Sequence, residues 1–121
     1  MDKLIVTDLV QGEGRAAVKG ALISTQYTGY LADGTVFDSS FLRNRAFECV
    51  IGTGRVIKGW DMGVLGFEQD GQIIEPMKVG GKRKLSVPAQ LAYGERAVGK
   101  IPPNSDLTFE IELLEVRTRD D

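Results

Sequence analysis

The chain has 121 residues, 42% of them hydrophobic, and this length lets one domain bury a core without a metal or a disulfide. Its 15 Lys and Arg against 17 Asp and Glu leave a net charge of -2, which gives no electrostatic reason to expect nucleic acid or an acidic membrane as a partner. Because the chain has no histidine, it cannot form a Ser-His-Asp or Cys-His catalytic arrangement or a histidine-containing zinc site.

The N-terminal residues carry no long apolar run, and no stretch of the chain approaches membrane-spanning length. We therefore expect a soluble protein that stays in the cytoplasm and has no membrane contact. The first element that we predict is an edge strand at residues 4–7, and a loop follows at residues 12–20.

The next segments predict strands, because apolar residues recur with a period of two. Residues 21–31 are rich in Ile, Thr and Tyr, and the turn pair Asp33-Gly34 separates them from a second run at residues 35–37. A further short strand is predicted at residues 47–51. It contains Cys49, the single cysteine, which excludes an intrachain disulfide and is expected to fill the core rather than react.

One short helix is predicted at residues 58–65, with Trp60 and Val64 on the same face. It is too short to be stable alone and must therefore pack on the sheet. Trp60 is the only tryptophan, and its place after Gly59 at a strand-to-helix junction suits the floor of a hydrophobic pocket. Since most buried aromatic residues only pack, this segment alone also allows an ordinary core tryptophan.

The rest of the chain predicts strands at residues 83–87 and 107–113. In the second strand four apolar residues alternate with polar ones: Leu107, Phe109, Ile111 and Leu113. We interpret Lys82-Arg83-Lys84 as a solvated strand edge rather than an anion site. Residues 89–103 form a long loop and are a candidate flap. Together the elements predict an α+β fold, in which one helix lies across a curved, antiparallel and largely meandering sheet.

Six short motifs occur in order across nearly the whole chain, and together they resemble the FKBP-type peptidyl-prolyl isomerases. They are Tyr27-Thr28-Gly29, Asp33-Gly34-Thr35-Val36-Phe37-Asp38-Ser39-Ser40, Gly52, Val56-Ile57-Lys58-Gly59-Trp60, Ala92-Tyr93-Gly94 and Ile101-Pro102-Pro103-Asn104. The resemblance is strongest to small single-domain bacterial members, in which the helix leads into a Met-Lys-Val-Gly-Gly-Lys-Arg segment, here residues 77–83.

The resemblance implies one domain over residues 1–121, with an FKBP-like half-barrel of antiparallel strands wrapped around the helix. It also implies an enzyme, a peptidyl-prolyl cis-trans isomerase that rotates Xaa-Pro bonds in folding polypeptides without covalent chemistry, a cofactor or a metal. Macrolides of the tacrolimus or rapamycin type are the implied ligands. The alternative is a chaperone or binding module for proline peptides or macrolides, with incidental isomerase activity. A domain of this size need not oligomerise, so we expect a monomer.

The family's site residues can be transferred onto this sequence position by position. The implied catalytic residues are Tyr27, Phe37, Asp38, Tyr93 and Phe109. The implied ligand-binding residues are Arg43, Phe47, Val56, Ile57, Trp60 and Ile101. In this scheme Trp60 forms the floor on which the pyrrolidine ring lies, and Tyr27, Phe37 and Phe109 surround the carbonyl that precedes the proline.

The same transfer assigns hydrogen bonds. The backbone N–H of Ile57 and the hydroxyl of Tyr93 are expected to donate to carbonyls of the ligand, and Asp38 beside Arg43 is expected to orient the wall. The residues alone leave other roles open. Asp38 can be a turn or cap residue, Tyr93 part of a turn, and Phe109 plain core.

The sequence departs from the family pattern in two places. Residues 67–76 look like an inserted loop, in which Asp70-Gly71 predicts a turn and Ile73-Ile74 must either pack on the domain or form a small exposed patch. We favour a tolerated surface loop over a partner-binding element. The flap differs as well, because residues 95–100 are polar where other members are more apolar.

Overall fold

The computed structural model describes residues 3–121. Met1 and Asp2, which the sequence analysis assigns to the same domain, lie outside the described residues. The strands are β1 Ile5–Val10, β2 Leu22–Tyr30, β3 Val36–Ser39, β4 Phe47–Val50, β5 Phe67–Gln69, β6 Gln72–Ile74, β7 Lys82–Val87 and β8 Leu107–Arg117. The single α-helix of the described chain, α1, spans Lys58–Leu65, and two short 3₁₀ turns span Phe41–Arg43 and Ala89–Leu91. No helix within residues 3–121 is long and apolar enough to cross a membrane.

Six of the strands form one antiparallel sheet, and five of them follow the order β1-β7-β8-β2-β3. The sixth, β4, lies on the same edge of β2 as β3: β4 pairs with residues 22–25 of β2, and β3 pairs with residues 28–30. The predicted α+β fold is confirmed, but the prediction of a largely meandering sheet is wrong. Only β2–β3 and β7–β8 are neighbours both in the chain and in this sheet. Instead, β8 takes the central position, with β7 along one edge and β2 along the other.

Alternation along the central strands places the core on one face of the sheet. The side chains of β8 that point to this face are buried, and so are those of the neighbouring strands. They include Ile23, Leu85, Val87, Leu107, Ile111 and Leu113. Burying an aliphatic side chain of this size stabilises the fold by about 1.5–3 kcal/mol. The sheet therefore supplies most of the apolar surface that the helix covers.

Helix α1 has the predicted bounds and lies directly against β7. A Cβ atom at Gly63 would be 2.5 Å from Leu85 Cδ1, and one at Gly59 would be 2.6 Å from Val87 Cγ1. Two glycines on one helical face thus let the helix backbone approach the sheet closely, which turns the buried indole of Trp60 towards β2 and β8. The helix ends at Gly66, whose φ of 83° is easily reached by glycine.

The segment at residues 67–76 is a β-hairpin rather than an irregular loop. Asp70 and Gly71, with φ of 53° and 79°, form its two-residue turn, as the sequence predicts. Ile73 is 68% exposed, whereas Ile74 is half-buried, so alternation splits the pair between solvent and protein. That this segment is an insertion relative to the family stays a prediction.

Arg83 corrects the interpretation of Lys82-Arg83-Lys84 as a solvated strand edge. Lys82 and Lys84 are exposed, but the Arg83 side chain is only 4% exposed and pairs with Asp8 at 2.6 Å. It also donates to the backbone oxygens of Gly63 at 2.9 Å and Glu75 at 2.8 Å. Because these bonds satisfy the guanidinium, it can be buried where β1, the end of α1 and the chain after β6 meet.

Candidate active site

Side chains from α1, four strands and two loops meet around a cleft of about 230 Å³. Nine of the eleven predicted site residues line it: Tyr27, Phe37, Asp38, Phe47, Val56, Ile57, Trp60, Tyr93 and Phe109. They come from positions as far apart as residues 27 and 109, so the antiparallel pairing of β2 with β8 is what brings them together. A larger cleft of about 350 Å³ lies between β1 and the hairpin and contains none of the predicted site residues.

An aromatic cluster forms the base of the cleft, with Trp60 at its centre. The indole meets three rings at nearly right angles: Tyr27 at 5.2 Å, Phe47 at 5.7 Å and Phe109 at 5.8 Å between ring centroids. Each such edge-to-face pair adds about 0.5–1.5 kcal/mol beyond the burial of its area. Trp60 is 3% exposed and yet lines the cleft, so it is both a core residue and the floor of a pocket.

Gly29 makes room for the upper part of this cluster. It pairs with Phe109 across β2 and β8, and a Cβ atom at this position would be 2.6 Å from Phe37 Cζ and 3.0 Å from Phe109 Cε1. The absent side chain lets the rings of Phe37 and Phe109 pack edge to face at 5.6 Å. Phe109 is 4% exposed and also lines the cleft, so the core role and the site role coexist in it as well.

A hydrogen-bonded group of Tyr27, Asp38 and Arg43 forms one wall. The Tyr27 hydroxyl donates to Asp38 Oδ2 at 2.5 Å, and Arg43 donates to the Tyr27 hydroxyl at 3.0 Å and is ion-paired with Asp38. The Arg43 guanidinium carbon also lies 5.7 Å from the centre of the Tyr27 ring. Asp38 accepts the N–H of Ser39 as well, so it acts in the local turn and in this wall at once. Arg43 itself does not line the cleft.

These contacts set the charges of the wall. Burial of Asp38 disfavours its carboxylate, but the hydrogen bonds from Tyr27 and Arg43 outweigh burial and hold the pKa of Asp38 below its ordinary value. Burial and the bond to Asp38 raise the pKa of the Tyr27 phenol. At neutral pH the wall therefore carries a carboxylate, a neutral phenol and a guanidinium.

Two residues that line the cleft carry a hydrogen-bond donor without a partner in residues 3–121. Neither the backbone N–H of Ile57 nor the hydroxyl of Tyr93 donates a hydrogen bond to another residue within the described range 3–121. Burial, together with the charge of Asp38, raises the pKa of the Tyr93 hydroxyl, and the charge of Arg96 opposes this. Tyr93 is thus a protonated donor at neutral pH. Both groups are available to a ligand carbonyl.

Three residues are placed differently from the sequence-based assignment: Arg43 and Ile101 do not line the cleft, and Arg55 does. That Arg43 and Ile101 contact a ligand stays a prediction. The Ile101 side chain is 5% exposed in the core, and its backbone pairs with that of Val98 at 2.8 Å and 3.0 Å. Arg55 lines the cleft but was missed. The signal was its place directly before Val56 and Ile57, but a charged, exposed residue is by default interpreted as solvated.

The remaining reactive groups lie elsewhere or are unreactive. Cys49 is half-buried in β4, and burial followed by the charge of Asp61 raises the pKa of its thiol to about 11. Within residues 3–121 no cluster of three or more Cys, Asp or Glu side chains is arranged to hold a metal ion. The cleft itself offers aromatic walls, one fixed carboxylate and two donors for ligand carbonyls, a set that suits binding of a peptide.

Comparison with known proteins agrees with this geometry. An FK506-binding protein of Neisseria meningitidis serogroup A is 49% identical over 117 residues, covering 96% of this chain and 98% of that protein. The peptidyl-prolyl cis-trans isomerase FPR2 of Saccharomyces cerevisiae is 49% identical over 104 residues, covering 84% of this chain and 70% of that protein. The crystal structure of AtFKBP13 superposes with a TM-score of 0.85 at 47% identity, covering 95% of this chain and 93% of the other.

The match to a protein family gives the class directly. Residues 13–114 match the family described as FKBP-type peptidyl-prolyl cis-trans isomerase, and the chain belongs to this family. It is thus an enzyme that isomerises Xaa-Pro peptide bonds, with the curved antiparallel sheet and single helix of a small FKBP. The resemblance inferred from the six sequence motifs is confirmed.

Proposed function

We propose that the cleft above Trp60 is where this isomerase binds the prolyl ring and turns the preceding peptide bond of a proline-containing polypeptide. The observation that carries the proposal is the convergence of the aromatic cluster and the two unpartnered donors on one cleft of about 230 Å³. In this arrangement Trp60 lies beneath the ring, and Tyr27, Phe37 and Phe109 enclose the carbonyl before the proline.

The chemistry needs no acid, base or nucleophile. The barrier to amide rotation, about 18–20 kcal/mol, arises from resonance across the C–N bond, and the twisted transition state loses that resonance and its charge separation. An apolar site that excludes water favours the less dipolar twisted state over the planar amide, which leaves hydrogen bonds with water on entry. Each ~1.4 kcal/mol of such preference accelerates the rotation tenfold.

The polar groups of the cleft position the substrate while the bond turns. The N–H of Ile57 and the hydroxyl of Tyr93 hold carbonyls on either side of the rotating bond, so only that bond has to move. Asp38, fixed by Tyr27 and Arg43, keeps the Tyr27 ring in place beside the carbonyl. Xaa-Pro bonds suit this site because both isomers are populated and their uncatalysed exchange takes tens to hundreds of seconds.

The test is an exchange assay on Xaa-Pro peptides with and without a competitor of the rapamycin type. Acceleration far above spontaneous exchange, abolished by the competitor, supports the proposal, whereas acceleration that persists under saturating competitor places the reaction elsewhere. The second candidate is a binding or chaperone module whose turnover is incidental. Tight binding of proline peptides with exchange no faster than in buffer would favour that candidate.

We further propose that tacrolimus-type macrolides occupy the same cleft, since relatives that match nearly the whole chain are named FK506-binding proteins. Titration monitored by Trp60 fluorescence tests this. We also propose that the protein is a cytoplasmic monomer that assists folding. The lone Cys49 is compatible with a reducing compartment. Light scattering and cell fractionation test these two points.

A further inference from the structure

Two arginines, one lining the cleft and one on the loop after Tyr93, have no ion-pair partner within residues 3–121. Arg55 lines the cleft directly before Val56 and Ile57, is exposed, and forms no ion pair or side-chain hydrogen bond with residues 3–121. Arg96 lies on the opposite loop, where its N–H bonds the carbonyl of Tyr93 at 3.2 Å. Its charge reaches the Tyr93 hydroxyl and is unpaired within the same range.

None of the acidic side chains around the cleft forms an ion pair with Arg55 or Arg96 within residues 3–121. Asp61, which follows Trp60, accepts the N–H groups of Gly52 and Gly54. Asp38 is already matched by Arg43, with which it forms an ion pair. In the adjoining shallow cleft, which shares Phe47, Glu48 is accompanied by Arg45. Glu95 neighbours Arg96 in sequence and is exposed, but it forms no ion pair with Arg96. Arg55, which lines the cleft, and Arg96, on the loop that carries Tyr93, are therefore two cations near the cleft that are free to pair with a substrate chain.

We propose that Arg55 and Arg96 give this isomerase a preference for prolines that have an acidic side chain, Asp or Glu, within two residues. The inference rests on the proposed function of the cleft. An extended chain advances about 3.3–3.6 Å per residue, so a residue within two positions of the proline lies within reach of an arginine side chain. The flexible guanidinium of an exposed arginine forms paired hydrogen bonds with a carboxylate.

The expected size follows from the exposure of both arginines. A single exposed ion pair changes an equilibrium by about twofold to fivefold. Replacing an attracted Glu by a repelled Lys changes the sign of the interaction, so kcat/KM should differ about tenfold between the two peptides at low ionic strength. Because the charges face solvent, 1 M salt, with a Debye length of about 3 Å, should remove most of this difference.

The experiment uses a peptide series with Glu, Gln or Lys at each of the two positions before and after the proline, and the exchange rate is measured by NMR without a coupling protease. We expect Glu to exceed Lys about tenfold at one or more positions. Arg55→Glu and Arg96→Glu should each weaken or reverse this order. Arg119→Glu is the matched control and should keep it, because this exposed residue follows the far end of β8, beyond Arg117.

The outcomes separate this inference from the proposed function. The charge inference is overturned if the kcat/KM values of the Glu, Gln and Lys peptides agree within about twofold while the Gln peptide is turned over. It is also overturned if both arginine variants keep the preference for Glu. In either case the function of the cleft stands. If no peptide is turned over, the function fails. In that case the affinities of the Glu and Lys peptides are measured through the indole resonance of Trp60. Tighter binding of the Glu peptide supports the charge inference, and equal affinities overturn it.

Discussion

Replacing Asp38 with Asn should separate the chemical role of this residue from its structural role. The substitution keeps the size of the side chain but removes the charge that fixes Tyr27 and Arg43. The Asp38 and Arg43 side chains are 39% and 46% exposed, so solvent screens their ion pair. We therefore expect the free energy of unfolding to fall by less than about 1 kcal/mol.

The effect on turnover should be much larger. The Tyr27 ring lies 5.2 Å from Trp60 and encloses the site of rotation, so an error of about 1 Å in its position can cost up to about 100-fold in rate. We expect kcat/KM of Asp38→Asn to fall about 10- to 100-fold. Since the folded pKa of Asp38 is lowered by Tyr27 and Arg43 against the effect of burial, activity of the unaltered protein should stay constant down to the ordinary carboxyl range, about pH 4.

The sign of the stability effect follows from the same shift. A lowered folded pKa stabilises the protein above the ordinary carboxyl pKa, and this contribution is lost as the pH falls through the folded pKa. The assay compares kcat/KM with urea unfolding for Asp38→Asn and for Asp70→Asn. Asp70 is the matched control because it is also ion-paired, with Lys3, but at the hairpin tip. If Asp38→Asn slows turnover no more than Asp70→Asn does, the proposed role of the wall is wrong.

Three other predictions concern the scaffold. Arg83→Met leaves Asp8 without its buried partner and should lower the unfolding free energy by about 3–5 kcal/mol in urea titrations, and a loss below about 1 kcal/mol would contradict the structure. Gly63→Ala places a methyl group 2.5 Å from Leu85 Cδ1 and should cost about 1–3 kcal/mol in the same titration, whereas unchanged stability would show that the helix can move away. Cys49, with a pKa of about 11, should react with a thiol reagent at pH 8 far more slowly than in the urea-unfolded chain, and equal rates would show that it is exposed.

The sequence predicts the local elements of this fold well, because their signals are local. The helix at residues 58–65 has the predicted bounds, and the six strands of the large sheet lie within a few residues of their predicted positions. The strands β5 and β6 of the hairpin were not predicted, because residues 67–76 were interpreted as a loop. The order of the strands could not be predicted in the same way. Alternation shows which face of β8 is buried, but it does not show that β7 and β2 are the neighbours of β8. That arrangement depends on contacts between residues about 80 positions apart in the chain, such as Tyr30 with Thr108.

The site shows a similar division. Seven of the ten residues that line the cleft lie in the six sequence motifs, and their convergence on Trp60 depends on the pairing of β2 with β8. Arg55 and Arg83 could not be assigned from their own positions, because a cation in a polar segment is usually solvated. Arg55 lines the cleft, and Arg83 is buried with hydrogen bonds to Asp8 and two backbone carbonyls. Only the tertiary contacts distinguish such arginines from those on the surface.

The most direct test of the site is one NMR titration that follows both partners. A peptide with a slowly exchanging Xaa-Pro bond is added to the protein, and the peptide exchange rate and the indole N–H resonance of Trp60 are recorded in the same samples. We predict exchange much faster than the spontaneous tens to hundreds of seconds, with the indole shift saturating at the same peptide concentration as the rate. Accelerated exchange with an unmoved Trp60 resonance would contradict the assignment of catalysis to this cleft.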